Sequence, residues 1–213
     1  MCGIVGYVGK KQAAPVLLDG LSKLEYRGYD SAGVAVMTSE GIEVQKSKGR
    51  LSVLSEKIDG GKSINGTMGI GHTRWATHGE PSDTNAHPHL SSSGRFAVVH
   101  NGIIENYIQL REYLAKKGAK FISETDTEII AHLVEYYYDG DLVNTVIKVT
   151  NKLEGSYALG IMSADSPDSF VAVRREAPLI VGLGNGENFI ASDIPAILSH
   201  TRDVYFLENS EIV

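Results

Sequence analysis

Three observations predict an α+β fold: many short strand-like runs, helical patterns between only some of them, and hairpin-length gaps joining several strands. Together they describe a largely antiparallel pair of sheets carrying helices in separate layers. Residues 3–8, 32–37, 42–46, 68–72, 96–100, 157–162, 170–173, 179–183, 189–191 and 204–207 are mostly β-branched or aromatic and bounded by Gly, Asn, Asp or Ser. Gly182, Gly184 and Gly186 fit no phosphate-binding loop and read as a turn. Among the helices, Val16, Leu17, Leu21 and Leu24 share one face. Tyr107, Leu110, Arg111 and Leu114 follow a candidate cap at Asn106; Ile129, Ile130, Leu133, Val134 and Tyr137 follow Asp126; Leu142, Val146, Val149 and Leu153 follow Asp141. No repeat or Pro-rich linker divides the chain, so residues 2–213 read as one domain. Residues 208–213 read as the start of another strand, and the chain is expected to be a fragment of something longer.

The 213 residues carry 20 Lys and Arg against 26 Asp and Glu, a net charge of −6. That balance argues against nucleic acid and membrane surfaces and leaves small molecules or proteins as partners. A single cysteine cannot form an internal disulfide, and the apolar run at 4–8 precedes Lys10 and Lys11 and is too short for a signal peptide. No stretch approaches the roughly 18 apolar residues of a membrane span, so a cytoplasmic location is expected.

The cysteine, Cys2, stands directly behind Met1. By type alone a lone cysteine is usually a buried, inert small hydrophobe. Its position changes that reading: with Met1 removed, which a small second residue permits, Cys2 carries a thiol and a free α-amino group. An α-amine titrates at about 7.7–8.0 against about 8.5 for a thiol, so near neutral pH the amine can take the thiol's proton. One residue then supplies nucleophile and general base. Gly3, Gly6 and Gly9 behind it are expected to bring the first strand's backbone close to substrate.

A second constellation, HTRWATHGEP at 72–81, follows a strand-like run and offers a guanidinium, hydroxyls, imidazoles and the only tryptophan. Arg74 suits a planar carboxylate; viewed singly, it fits an ion pair with a structural acid equally well, and Trp75 a place in the core. Five of the seven histidines, His72, His78, His87, His89 and His100, lie close together in the chain. His87 and His89 offer two metal ligands, but other ligand spacing is lacking, so no metal is expected and the cluster reads as structural. Asn101-Gly102 after an apolar run is first a turn signal. The same pair can also aim the Asn101 amide and the Gly102 N–H at one spot and stabilise an oxyanion. At 123–128, SETDTE opens a helix that Thr125 or Asp126 would cap; alternatively the Asp126 carboxylate holds a substrate ammonium and complements Arg74 across an amino acid.

Together, MCGIVG at 1–6, EYRGYDSAG at 25–33, the 72–81 loop, NAHPH at 85–89, VHNGIIEN at 99–106 and SETDTE resemble the glutaminase domain of glucosamine-6-phosphate synthases. The wider class is the glutamine amidotransferases with an N-terminal nucleophile. Amidophosphoribosyltransferases and asparagine synthetases share the terminal cysteine and the Asn-Gly pair but differ at the counterparts of 26–33 and 74–81. The resemblance implies a four-layer sandwich of two antiparallel sheets between helical layers. It implies that Cys2 attacks the γ-carboxamide of L-glutamine to form a thioester, its own amine taking the proton through water, while Asn101 and Gly102 hold the oxyanion. Arg74 would bind the α-carboxylate with help from Thr77 and His78, and Asp126 the α-ammonium. Trp75 would gate ammonia passage, and Arg27 would lie near the nucleophile. No cofactor is implied. Full-length members, expected as homo-oligomers, continue into a sugar-phosphate isomerase region, absent here, that converts fructose 6-phosphate to glucosamine 6-phosphate.

Overall fold

The computed structural model describes residues 2–213; Met1, on whose removal the N-terminal reading depends, lies outside the described residues. In chain order the elements are β1 (Gly3–Val8), α1 (Ala13–Ser22), β2 (Ser31–Thr38), β3 (Gly41–Lys48), α2 (Leu51–Lys57), β4 (Met68–Arg74), β5 (His89–Leu90), β6 (Phe96–Ile104), α3 (Tyr107–Lys116), α4 (Glu128–Tyr137), α5 (Leu142–Thr150), β7 (Gly155–Ser163), β8 (Phe170–Arg175), β9 (Ile180–Leu183), β10 (Asn188–Ala191) and β11 (Val204–Phe206). They form a seven-stranded sheet, β11-β9-β10-β1-β4-β2-β3, and a four-stranded sheet, β5-β6-β7-β8. Neighbouring strands pair antiparallel throughout both sheets.

Period-two alternation along the strands sorts their side chains into three cores. Val5, Tyr7, Val34 and Val36 face the first helices and meet Leu17, Leu21 and Leu54. Their neighbours Ile4, Ala35 and Ile70 point the other way and share a core with Ala97, Val99, Ala158 and Met162 of the second sheet. Phe96, Val98, Leu159 and Ile161 face outward again, against Ile130, Leu133, Val134 and Val146. Three cores between four layers give the expected α+β sandwich, with α1 and α2 outside one sheet and α3 to α5 outside the other.

Each of the ten expected strand runs from 3–8 to 204–207 is present, several of them longer than predicted, but the strand expected to start at 208–213 is only an isolated bridge, and α2 and the two-residue β5 were not foreseen. The turn expected at Asn101-Gly102 is overridden: β6 runs on to Ile104, with Asn101 opposite Ala158 and Gly102 opposite Tyr157. Gly102 sits at φ +127°, and a Cβ there would stand 2.1 Å from the Ser156 carbonyl oxygen, so the glycine lets the strand pass a close contact. Asp126 is not a cap either. The N-cap of α4 is Thr127, which makes no capping bond, and the Thr125 hydroxyl accepts the Glu128 N–H only at 3.4 Å. Asn106 holds the N-cap position of α3, but its amide bridges the Lys152 carbonyl and the Glu154 N–H instead. Asp141 does cap α5, accepting the Asn144 N–H at 3.0 Å. The glycines of β1 and the one just past it make room for protein: a Cβ on Gly3 would meet Thr73 Oγ1 at 2.6 Å, one on Gly6 would meet Ile190 at 2.6 Å, and one on Gly9, after the strand, would meet the Tyr7 hydroxyl. At the far end, Val213 and Ala172 exchange backbone hydrogen bonds, and Ile212 bridges Val173, which sets this segment against β8.

Candidate active site

Antiparallel pairing sets the start of β1 beside the end of β4, with Gly3 opposite Thr73. Cys2 and Arg74 thereby meet at the rim of a cavity of about 430 Å³ that Asn101, Gly102 and Ile103 of β6 also line. That volume is in the range of small-molecule sites. The Trp75 N–H donates to Cys2 Sγ at 3.2 Å, and Asn101 Nδ2 donates to the Cys2 carbonyl at 3.1 Å. Burial pushes the Cys2 thiol pKa up, and the Trp75 N–H pulls it partly back.

Arg74 meets a structural acid and keeps a place on the cavity wall. One guanidinium nitrogen donates to the carbonyls of His78 and Gly79, the latter at 2.9 Å, and Asp30 Oδ1 stands 4.0 Å from the other. The side chain braces the loop and still faces the cavity. Asp30 also accepts from the Ala76 N–H and the Ser31 hydroxyl, which ties the 25–33 motif to the same loop. Across the cavity, Asp126 Oδ2 accepts the Ile104 N–H at 2.9 Å, so the buried carboxylate is anchored by one oxygen. Thr77 and His78 line the wall with Oγ1 and Nδ1 3.3 Å apart. Trp75 is 55% exposed, which rules out a core role, and its ring lies over Gly28, where a Cβ would meet it at 2.5 Å. Arg27 pairs with Asp193 at 3.1 Å on the same wall.

Every candidate residue therefore lies at one cavity: Cys2, Arg27, Arg74, Trp75, Thr77, His78, Asn101, Gly102 and Asp126. The wall also includes His87, His100, Ser156 and the Glu176-Ala177-Pro178 turn, which the sequence did not single out for it. Glu176 holds φ +65°, a feature that residue type does not announce. Asp30, by contrast, sits inside a quoted motif and was the natural acid to pair with Arg74.

The buried histidines pack against one another: His72 stacks on His87 at 4.2 Å, and His89 lies edge-on to His87 at 4.9 Å. Burial lowers the pKa of each, that of His72 to about 3, so all three are uncharged near neutral pH. Among the described residues no three His, Cys, Asp or Glu side chains are grouped as a metal ion would require.

The family described as a glutamine amidotransferase domain matches residues 72–199. The glutamine–fructose-6-phosphate aminotransferase (isomerizing) of Caldanaerobacter subterraneus subsp. tengcongensis is 65% identical over 212 residues, covering 100% of this chain and 35% of that protein. The protein of the same name from Clostridium tetani is 62% identical over 213 residues, with the same coverage. This chain thus spans about a third of the length of the curated relatives it matches. Among solved structures, glutamine phosphoribosylpyrophosphate amidotransferase from B. subtilis, complexed with ADP and GMP, aligns at a TM-score of 0.85 and 26% identity, covering 99% of this chain and 46% of that one. The sandwich, the cavity at its rim and the match over more than half of the sequence agree: this chain belongs to the glutamine amidotransferase domain family.

Proposed function

We propose that residues 2–213 form a glutaminase domain that hydrolyses the side-chain amide of L-glutamine through a thioester on Cys2. One observation carries this reading: a thiol, an amide donor, a buried guanidinium and a buried carboxylate all face one cavity. Arg74, assisted by Thr77 and His78, takes the α-carboxylate, and Asp126 takes the α-ammonium. Such opposed charges select a free amino acid over glutamine within a peptide.

With Met1 removed, the α-amine of Cys2 accepts the thiol proton through water, and sulfur bonds to the amide carbon. The carbonyl electron pair moves onto oxygen, where Asn101 Nδ2 and the Gly102 N–H hold it. Collapse expels ammonia, which takes the proton back from the amine, and water then cleaves the thioester. In sum, glutamine and water give glutamate and ammonia. Trp75, exposed at the mouth, gates the passage of ammonia, and Arg27 steadies the adjoining wall through Asp193.

The relatives' names and their much greater length support a destination for the ammonia. A sugar-phosphate isomerase region of the same polypeptide, in a cytoplasmic homo-oligomer, would use it to convert fructose 6-phosphate to glucosamine 6-phosphate for hexosamine and cell-wall precursors. Delivery to a phosphoribosyl acceptor is the second reading, favoured by the B. subtilis structure, but identities of 65% against 26% favour the sugar. Among the described residues no helix is long and apolar enough to cross a membrane.

Intact-mass analysis tests the central step. The protein should lack one methionine and gain one adduct on Cys2 after treatment with a glutamine-analogue electrophile, and Cys2→Ala should release no glutamate. Glutamate release that survives Cys2→Ala would overturn the reading.

A further inference from the structure

One buried histidine unused in the chemistry above has neighbours that settle its protonation. His72, in β4, is fully buried, and its Nε2 lies 3.0 Å from the His100 carbonyl oxygen and 3.0 Å from Asn101 Oδ1. A carbonyl oxygen only accepts hydrogen bonds, so Nε2 carries the hydrogen. Nε2 therefore cannot also accept, and Asn101 must turn its oxygen toward the imidazole. The far end of the amide agrees, because the nitrogen of Asn101 faces the Cys2 carbonyl, another acceptor, at 3.1 Å. Nδ1 of His72 has no hydrogen-bond partner among the described residues, as befits the bare nitrogen of a neutral ring stacked on His87.

We propose that His72 is a positioning residue for the oxyanion-forming step: its Nε2–H holds Asn101 Oδ1 so that the amide N–H is aimed at the nucleophile. The proposal rests on the glutaminase reading. The two ends of an asparagine amide have nearly the same shape, so nothing steric prevents a flip. A flipped amide would turn an oxygen lone pair toward the developing oxyanion and repel it. Arg74 and Asp126 bind the α-groups of glutamine elsewhere in the cavity, so loss of the tie should weaken the transition state more than substrate binding.

The test compares two amides that put a donor in different places. The Gln Nε2 reaches about where the imidazole Nε2 stands, whereas the Asn Nδ2 stops near the position of Nδ1. In the processed chain, His72→Gln should keep glutaminase kcat within about fivefold of the parent. His72→Asn should lower kcat about 10- to 100-fold, less than the hundred- to thousandfold cost of losing an oxyanion donor outright. With His72→Asn, KM for glutamine should stay within about threefold. Alkylation of Cys2 by iodoacetamide, a displacement that forms no oxyanion, should stay within about twofold. Equal kcat for the two variants, or loss of KM and alkylation along with kcat, would overturn the proposal. Independently of activity, the ¹⁵N shifts of His72 in the parent should report a protonated Nε2 and a bare Nδ1 from pH 5 to 8; the opposite tautomer sinks it. A parent with the expected tautomer that releases no glutamate would refute the glutaminase reading and the role built on it, leaving the hydrogen-bond geometry intact.

Discussion

Asn101 spends both ends of its side chain before any substrate arrives, on His72 and on the Cys2 carbonyl. Asn101→Ala should therefore lower glutaminase kcat about 100- to 1000-fold while leaving KM within about threefold, as read from steady-state glutamate release. Asp126→Asn should do the reverse. The neutral amide keeps an oxygen for the Ile104 N–H but loses the charge meant for the α-ammonium, so KM for glutamine should rise about 10- to 100-fold with little change in kcat. Much of this was legible in residue types: a thiol behind Met1, an Asn-Gly pair, and one arginine and one acid suited to an amino acid. The tie between His72 and Asn101, and the bonds of Asp30 beyond its pairing with Arg74, were not. Their partners lie 29 and 46 residues away, and which end of the Asn101 amide faces which way depends on a carbonyl that no motif records.

Among the elements, β6 departs most from its local signal. Asn-Gly favours a turn, yet pairing with β7 carries the strand through Gly102 at a backbone angle that costs an alanine strain as well as a collision with Ser156. Gly102→Ala should destabilise the protein by about 1–3 kcal/mol in urea unfolding, besides lowering activity. The cap of α5 behaves as its sequence says: Asp141→Ala should cost about 1 kcal/mol and lower Tm by about 2–4 °C. Alternating apolar residues made the longer strands readable. By contrast α2 is short and buries only Leu51 and Leu54, too few to establish a helical period, and β5 has two residues and no period at all.

For the molecule as a whole, the pattern of runs indicated two sheets and helical layers, while the order of the four layers came only with the family resemblance, since layering is a matter of contacts between distant strands. The interior is also a pH-sensitive load. Burial lowers the pKa of His72 to about 3 and those of His87 and His89 well below the usual imidazole value. A histidine that titrates near 6.5 when unfolded and far lower when folded adds stability that is complete above that pH and is lost as pH falls below it, because only the unfolded chain takes up the proton. Each such ring costs up to about 1.4 kcal/mol per pH unit. The urea midpoint should accordingly fall steeply between pH 7 and 5, and a flat response would contradict a neutral buried cluster. Finally, β1 lies between β4 and β10, and the Ile4 N–H reaches Ser192 Oγ at 3.0 Å across 188 positions of sequence. β1 is thus clamped along both edges, by one strand from early and one from late in the sequence, so Cys2, just ahead of it, starts from a fixed backbone.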